Sequence, residues 1–111
     1  DLLSKMEELL DDYFKKDKHI ELGLPTVQYF AEKMNVSSNY LSDMLRTLTG
    51  QSTQQHIHNK LIEKAKETLV TTNLSVSEIA YQLGFEHPQS FSKLFKNKTK
   101  VTPKDFRSTF N

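Results

Sequence analysis

The sequence predicts an all-α fold of about seven helices, on three observations. Apolar residues recur at helical spacing along nearly the whole chain, no stretch keeps the strict alternation of a half-buried strand, and successive segments open on capping residues. The 111 residues suit a single globular unit, and Leu, Ile, Val and Phe supply 30 of them, enough apolar surface to fold. Gly and Pro number three each, which removes collagen-like, linker and low-complexity readings.

The elements follow in order. Leu2, Leu3, Met6, Leu9, Leu10, Tyr13 and Phe14 mark an amphipathic first helix, followed by a charged connector over residues 15–23 that ends in Gly23 and Pro25. Thr26 caps a helix with Val27, Phe30, Ala31 and Met34 inward. Ser37 caps the next, with Leu41, Met44, Leu45 and Leu48 inward and Gly50 as its stop. Ser52 and Gln55 form a capping box that opens a long helix through Ile57, Leu61, Ala65 and Leu69. Ser75 and Glu78 form a second box ahead of Ile79, Ala80 and Leu83. Pro88 suits the first turn of a helix with Phe91, Leu94 and Phe95 inward, and Thr102 with Pro103 starts a last short helix.

The chain repeats itself with a period of about 50 residues. At an offset of 49, Thr26-Val27 matches Ser75-Val76, Phe30-Ala31 matches Ile79-Ala80, and Met34-Asn35-Val36 matches Leu83-Gly84-Phe85. Beyond the turn the offset is 50, pairing Leu41 with Phe91, Met44 with Leu94, Leu45 with Phe95 and Thr49 with Thr99. The duplicated unit is a helix, a tight turn and a longer helix. Ala31 and Ala80 fall where the two helices cross closely. Asn35 and Gly84 fall at a turn position that favours positive φ. The expected organisation is a leading helix and connector (1–24), a first helix-turn-helix (25–51), a linker helix (52–73), and a second helix-turn-helix with a short C-terminal helix (74–111).

With these residues in place, the chain resembles the DNA-binding domain of AraC/XylS-type bacterial transcription regulators, from about Pro25 to Phe110. The matching positions are Ala31, Ser37, Tyr40-Leu41-Ser42, Thr49-Gly50, Leu61 and Ala65 in the first half. In the second they are Ser77-Glu78-Ile79-Ala80 through Gly84-Phe85, then Phe91-Ser92-Lys93-Leu94-Phe95-Lys96, then Thr102-Pro103 and Phe106-Arg107. Three positions depart from the family pattern. Lys60 stands where Arg is usual, Ser90 where Tyr is common, and Lys100 where Gly is usual, with strain of about 1 kcal/mol if Lys100 takes positive φ. The resemblance implies a homeodomain-like duplicated helix-turn-helix that regulates transcription in bacteria. It also implies double-stranded DNA as partner, contact with RNA polymerase, and a covalently linked sensor or dimerisation domain.

In a helix-turn-helix the second helix enters the major groove and its outward side chains meet base edges. In the first unit that face carries Asn39, Ser42, Asp43 and Arg46; in the second it carries Gln89, Ser92, Lys93 and Lys96. Asn and Gln suit adenine, Arg and Lys suit guanine, and Asp43 either accepts from cytosine or orients Arg46. Phosphate contacts are expected from Ser37, Ser38, Thr53, His87, Thr102 and Lys104, where N-capping is the alternative role of each hydroxyl. A linker helix of about 28 Å, against about 34 Å between successive major-groove faces, suits two reading helices in adjacent turns.

Charge supports the same end of the chain. Residues 1–22 hold seven acids and four bases, whereas residues 89–111 hold six bases and Asp105 alone. The absence of Cys removes disulfide scaffolds, thiol nucleophiles and thiolate zinc sites and is compatible with a reducing cytoplasm; the resemblance implies a bacterial cytoplasmic protein at the nucleoid. No apolar run approaches the ~18 residues of a membrane span, so no membrane partner is expected. The start at Asp1 rather than Met suggests a domain of a longer protein. His56 and His58 point about 160° apart on a helix, so neither a metal site nor a cofactor is expected. No phosphate loop or triad motif marks an enzyme. The alternative to DNA reading is a helical protein-interaction module, with the stripe over residues 2–14 as its docking face.

Overall fold

In the computed structural model residues 1–110 are described, and among them are eight helices and no strand. These are α1 (Leu2–Lys15), α2 (Lys18–Leu22), α3 (Val27–Lys33), α4 (Ser38–Thr49), α5 (Thr53–Thr71), α6 (Val76–Leu83), α7 (Pro88–Thr99) and α8 (Pro103–Ser108). The expected number was about seven. The addition is α2, five residues inside the charged connector, entered through Asp17 at φ 57° and left through Gly23 at φ 83°. Asp17 at its N-cap takes a left-handed backbone and makes no side-chain capping bond, and a single turn is too short for a periodicity to show. The chain divides into two compact units, one through Lys60 and one from Leu61 onward, and α5 contributes to both.

In the first unit, Met6, Leu10, Tyr13 and Phe14 of α1 are buried together with Phe30, Ala31, Leu41, Leu45 and Ile57. Tyr13 meets Tyr29 edge-on at 5.1 Å, packs against Phe30 at 5.9 Å, and donates its hydroxyl to the Gly23 carbonyl at 2.8 Å. Burial, and then the neighbouring Tyr29, push the Tyr13 phenol above its ordinary pKa. The apolar stripe of α1 is therefore spent on the unit's own core. Lys60, mostly buried, pairs with Asp11 of α1, which gives this lysine a structural role.

The second unit buries Leu61, Ile62, Ala65, Leu69, Ile79, Ala80, Leu83, Phe85, Phe91 and Phe95. Phe85, Phe91, Phe95, Phe106 and Phe110 form a chain of ring contacts between 5.1 and 5.9 Å. Arg107 of α8 donates Nε to the Leu69 carbonyl at 3.0 Å and Nη2 to the Thr72 carbonyl at 3.3 Å. It thereby satisfies acceptors that the end of α5 leaves open.

The capping expectations hold. Thr26, Ser37, Ser75 and Thr102 accept from the backbone of Tyr29, Tyr40, Glu78 and Asp105 at 3.0–3.1 Å. Both capping boxes close, Ser52 with Gln55 and Ser75 with Glu78. The turn positions also behave as expected: Asn35 has φ 58° and Gly84 φ 107°. Each turn is tied by a bond of 3.0 Å back to the buried alanine, from Val36 N–H to the Ala31 carbonyl and from Phe85 N–H to the Ala80 carbonyl.

Burial along 41–50 and 91–100 runs in the same order, residue by residue. One expectation fails there. Leu48, expected inward, is 56% exposed, and its counterpart Lys98 is exposed too. Its helical phase is right; it lies in the last turn of α4, beyond the part of the core that Leu41 and Leu45 occupy. Met44 and Leu94 are half-buried rather than fully inward.

Two outcomes follow from this geometry. Lys100 has φ 71° and sits where Gly50 sits in the first unit, with its N–H bonded to the Lys96 carbonyl as Gly50 bonds Arg46. Lys100→Gly should raise stability by about 1 kcal/mol in urea unfolding with an unchanged slope; no gain contradicts the strain. Glu78 accepts from the Ser75 backbone N–H at 2.9 Å, and that bond, aided by the Ser75 side chain, holds its carboxyl below the ordinary range. The stabilisation is present above the unfolded pKa and is lost as pH falls through the folded one. Glu78→Gln keeps the box without the titration, so the stability difference between the two proteins should shrink on acidification. A difference independent of pH contradicts this.

Candidate nucleic-acid interface

The candidate surface is the outer face of α4 and, separately, the outer face of α7. On α4, Asn39, Asp43 and Arg46 are exposed and Ser42 is half-buried. On α7, Gln89, Lys93 and Lys96 are exposed and Ser92 is half-buried. The offset of 50 matches these positions one to one. The local cause is the same in both: two large buried residues four apart, Leu41 and Leu45 or Phe91 and Phe95, fix the rotation of the helix about its axis.

Within the first unit, Arg46 Nη1 lies 3.6 Å from Asp43 Oδ1, with side chains 58% and 78% exposed. This pair is the orienting contact that the three-residue spacing allowed, and such exposure makes its net stabilisation small. Ser42 does not stand free: its hydroxyl lies 3.2 Å from that of Thr53. Thr53 is 0% exposed. Its expected side-chain contact with phosphate is therefore corrected, because the hydroxyl is enclosed and holds Ser42 instead. Thr47 likewise bonds its hydroxyl to the Asp43 carbonyl at 2.9 Å. Tyr40, exposed beside Asn39, belongs to the same surface and was not among the expected base readers.

Within the second unit, Ser92, Lys93, Lys96, Asn97, Lys100 and Thr102 line an open groove of about 640 Å³. Asn97 and Lys100 are not among the expected base readers, and Lys100, like Lys98, is expected to add only non-specific attraction; a spacing of four residues after Lys93 and Lys96 is the sequence signal for their place in the groove. Gln89 is exposed in the first turn of α7 but is not among the groove's lining residues. Lysines on α7 and on the turn after it give the groove a positive edge.

The remaining expected phosphate contacts divide by role. Ser37 and Thr102 cap α4 and α8 through their hydroxyls. Ser38 is half-buried, Lys104 is exposed, and His87 is exposed at the N-cap of α7 with no side-chain capping bond. His56 meets Thr49 Oγ1 at 2.9 Å and His58 meets Gln54 at 2.8 Å, so the two imidazoles serve different contacts. The Ser42–Thr53 bond makes a stability difference between the repeats, because the residue matching Thr53 is Pro103, which has no hydroxyl. Ser42→Ala leaves a buried hydroxyl short of a partner and should cost about 1 kcal/mol or more in urea unfolding, exceeding Ser92→Ala. Equal costs contradict the bond's importance.

The description "Helix-turn-helix domain" belongs to the family whose pattern matches residues 30–109. The chain is 31% identical over 99 residues to an uncharacterized HTH-type transcriptional regulator of Pseudoalteromonas carrageenovora, covering 89% of this chain and 57% of that protein. It is 34% identical over 91 residues to the regulatory protein SoxS of Escherichia coli K12, covering 82% of this chain and 84% of SoxS. Among solved structures it resembles the C-terminal domain of the two-component response regulator yesN from Fusobacterium nucleatum, with 36% identity and a TM-score of 0.72. That likeness covers 91% of this chain and 96% of that one. The fold is also that of the DNA-binding domain of AdpA, solved with a target DNA, at 22% identity and a TM-score of 0.78 over 98% of this chain and 91% of that one. By repeat, fold and likeness together, the chain belongs to the AraC/XylS-type helix-turn-helix family of transcription regulators.

Proposed function

We propose that the chain reads double-stranded DNA sequence-specifically through α4 and α7 and thereby regulates transcription in a bacterial cytoplasm. The observation that carries this reading is the matched pair of outward faces. Two helices with the same burial order each present amide, hydroxyl and charged groups where a recognition helix meets base edges. Asn39 and Gln89 suit adenine, Arg46, Lys93 and Lys96 suit guanine, and Ser42 is fixed by Thr53. The phosphate contacts assigned to it are Ser37, Ser38, His87, Thr102 and Lys104. SoxS and the AdpA domain, by their names, are a regulator and a DNA binder, and both support the reading.

The length of α5, 19 residues or about 28 Å, supports a site in which one chain spans adjacent turns of the major groove. The two faces differ in sequence, so the site is asymmetric and about 16–20 base pairs long. The chain spans 57% of the Pseudoalteromonas regulator and 28% of the Bacillus subtilis regulatory protein YesN. Those lengths support a place in a longer protein; a linked sensor or dimerisation domain and contact with RNA polymerase are part of the proposal by family resemblance.

The test is a double variant. Arg46→Ala with Lys93→Ala should weaken binding to a preferred duplex by a hundredfold or more, at about 1–3 kcal/mol per base contact, while leaving thermal unfolding within a few degrees. Undiminished binding contradicts Arg46 and Lys93 as readers, a nuclease footprint confined to one helical turn contradicts two readers in adjacent turns, and weak binding with no preferred duplex favours the protein-interaction module.

A further inference from the structure

The two reading faces match in burial but not in charge. The first unit holds seven Lys and Arg against nine Asp and Glu, and the second holds eight against five. The contrast is sharpest on the helices themselves. The offset of 50 sets Asp43 of α4 against Lys93 of α7, and Arg46 against Lys96. Arg46 is the only base on α4 and lies 3.6 Å from Asp43, its only acid, whereas α7 carries three lysines and no acid. Two hydroxyls of α4 are also engaged, Ser42 with Thr53 and Thr47 with the Asp43 carbonyl. The α7 face is long, flexible lysine around an open groove.

We propose that Asp43 is the specificity-determining residue of the α4 face, selecting sequence at the expense of general affinity, while α7 supplies the salt-dependent grip. This rests on the DNA-reading function proposed above. A carboxylate in the major groove lies within a Debye length of the phosphates and repels them, and it offsets the attraction of Arg46. It is satisfied there only by an amino group such as cytosine N4–H, and it opposes the N7 and O6 acceptors of guanine. Held from one side, the Arg46 guanidinium has fewer directions in which to donate, so an incorrect base leaves both groups poorly matched. Lys93 in the matching position of α7 has no acid beside it, so nothing offsets its attraction for guanine, and the exposed Lys98 of the same helix pairs with any nearby phosphate.

The experiment measures dissociation constants of the 111-residue chain for its selected duplex and for a scrambled duplex, between about 50 and 200 mM salt. Asp43→Lys should strengthen scrambled binding several-fold, lower the selected-to-scrambled ratio at least tenfold, and steepen the log–log salt slope by about 0.9 for one added phosphate contact. Asp43→Asn should lower the ratio with a smaller change in slope. Lys98→Ala should weaken both duplexes alike and flatten the slope by about 0.9. An unchanged ratio in both Asp43 variants overturns the inference alone, as does a Lys98→Ala that alters the ratio but not the slope. A wild-type chain with no preference between the duplexes removes the DNA-reading function itself. Asp43 is exposed, and an unaltered melting curve separates a binding effect from misfolding.

Discussion

Both units depend on one constraint: a helix pair that crosses at alanine must turn through positive φ four residues later. Ala31 and Ala80 are only 2% and 0% exposed. A larger side chain at either point forces the helices apart, and overpacking of this kind costs about 1–3 kcal/mol. Asn35 and Gly84 supply the left-handed step, and the next residue donates its N–H back to the alanine carbonyl at 3.0 Å in both units. That ring fixes the direction in which α4 leaves α3 and α7 leaves α6. The rotation of each second helix is then set by two large buried residues four apart. What is left outside is the candidate reading face, so function here is a remainder of packing.

The repeat reaches further than the helix pair. Ser52 and Thr102 occupy matching positions and both cap the next helix, so the start of α5 corresponds to α8. Thr53 and Pro103 are the matching buried residues. Thr49 and Thr99 close the ends of α4 and α7 in the same way, each bonding the carbonyl four residues back and accepting from the N–H two residues on. The units diverge at the next matched pair, where His56 bonds Thr49 and Phe106 joins the ring chain. The first unit closes with a polar node and the second with aromatic packing.

Much of this was legible in the sequence, because caps, turn residues and core spacing act locally. Ser75 with Glu78 and Asn35 with Gly84 carry their geometry in their own chemistry. Other features were not legible, for reasons that are equally physical. The helix α2 is one turn with no side-chain cap. Leu48 has the right phase and the wrong position along its helix, which periodicity does not encode. Thr53 reads as a helix-terminal hydroxyl, and only its burial shows that it serves Ser42. Arg107 reads as part of a basic tail, yet it caps α5 from 35 and 38 residues away. Long-range hydrogen bonds leave no periodic trace.

The central claim is that two similar scaffolds present two different base-reading faces. The most direct measurement is selection of bound duplexes from a random library, followed by sequencing. The account predicts an asymmetric motif with two clusters of preferred bases about one helical turn apart. Selected duplexes with no shared motif, bound weakly and lost as salt rises, would contradict it.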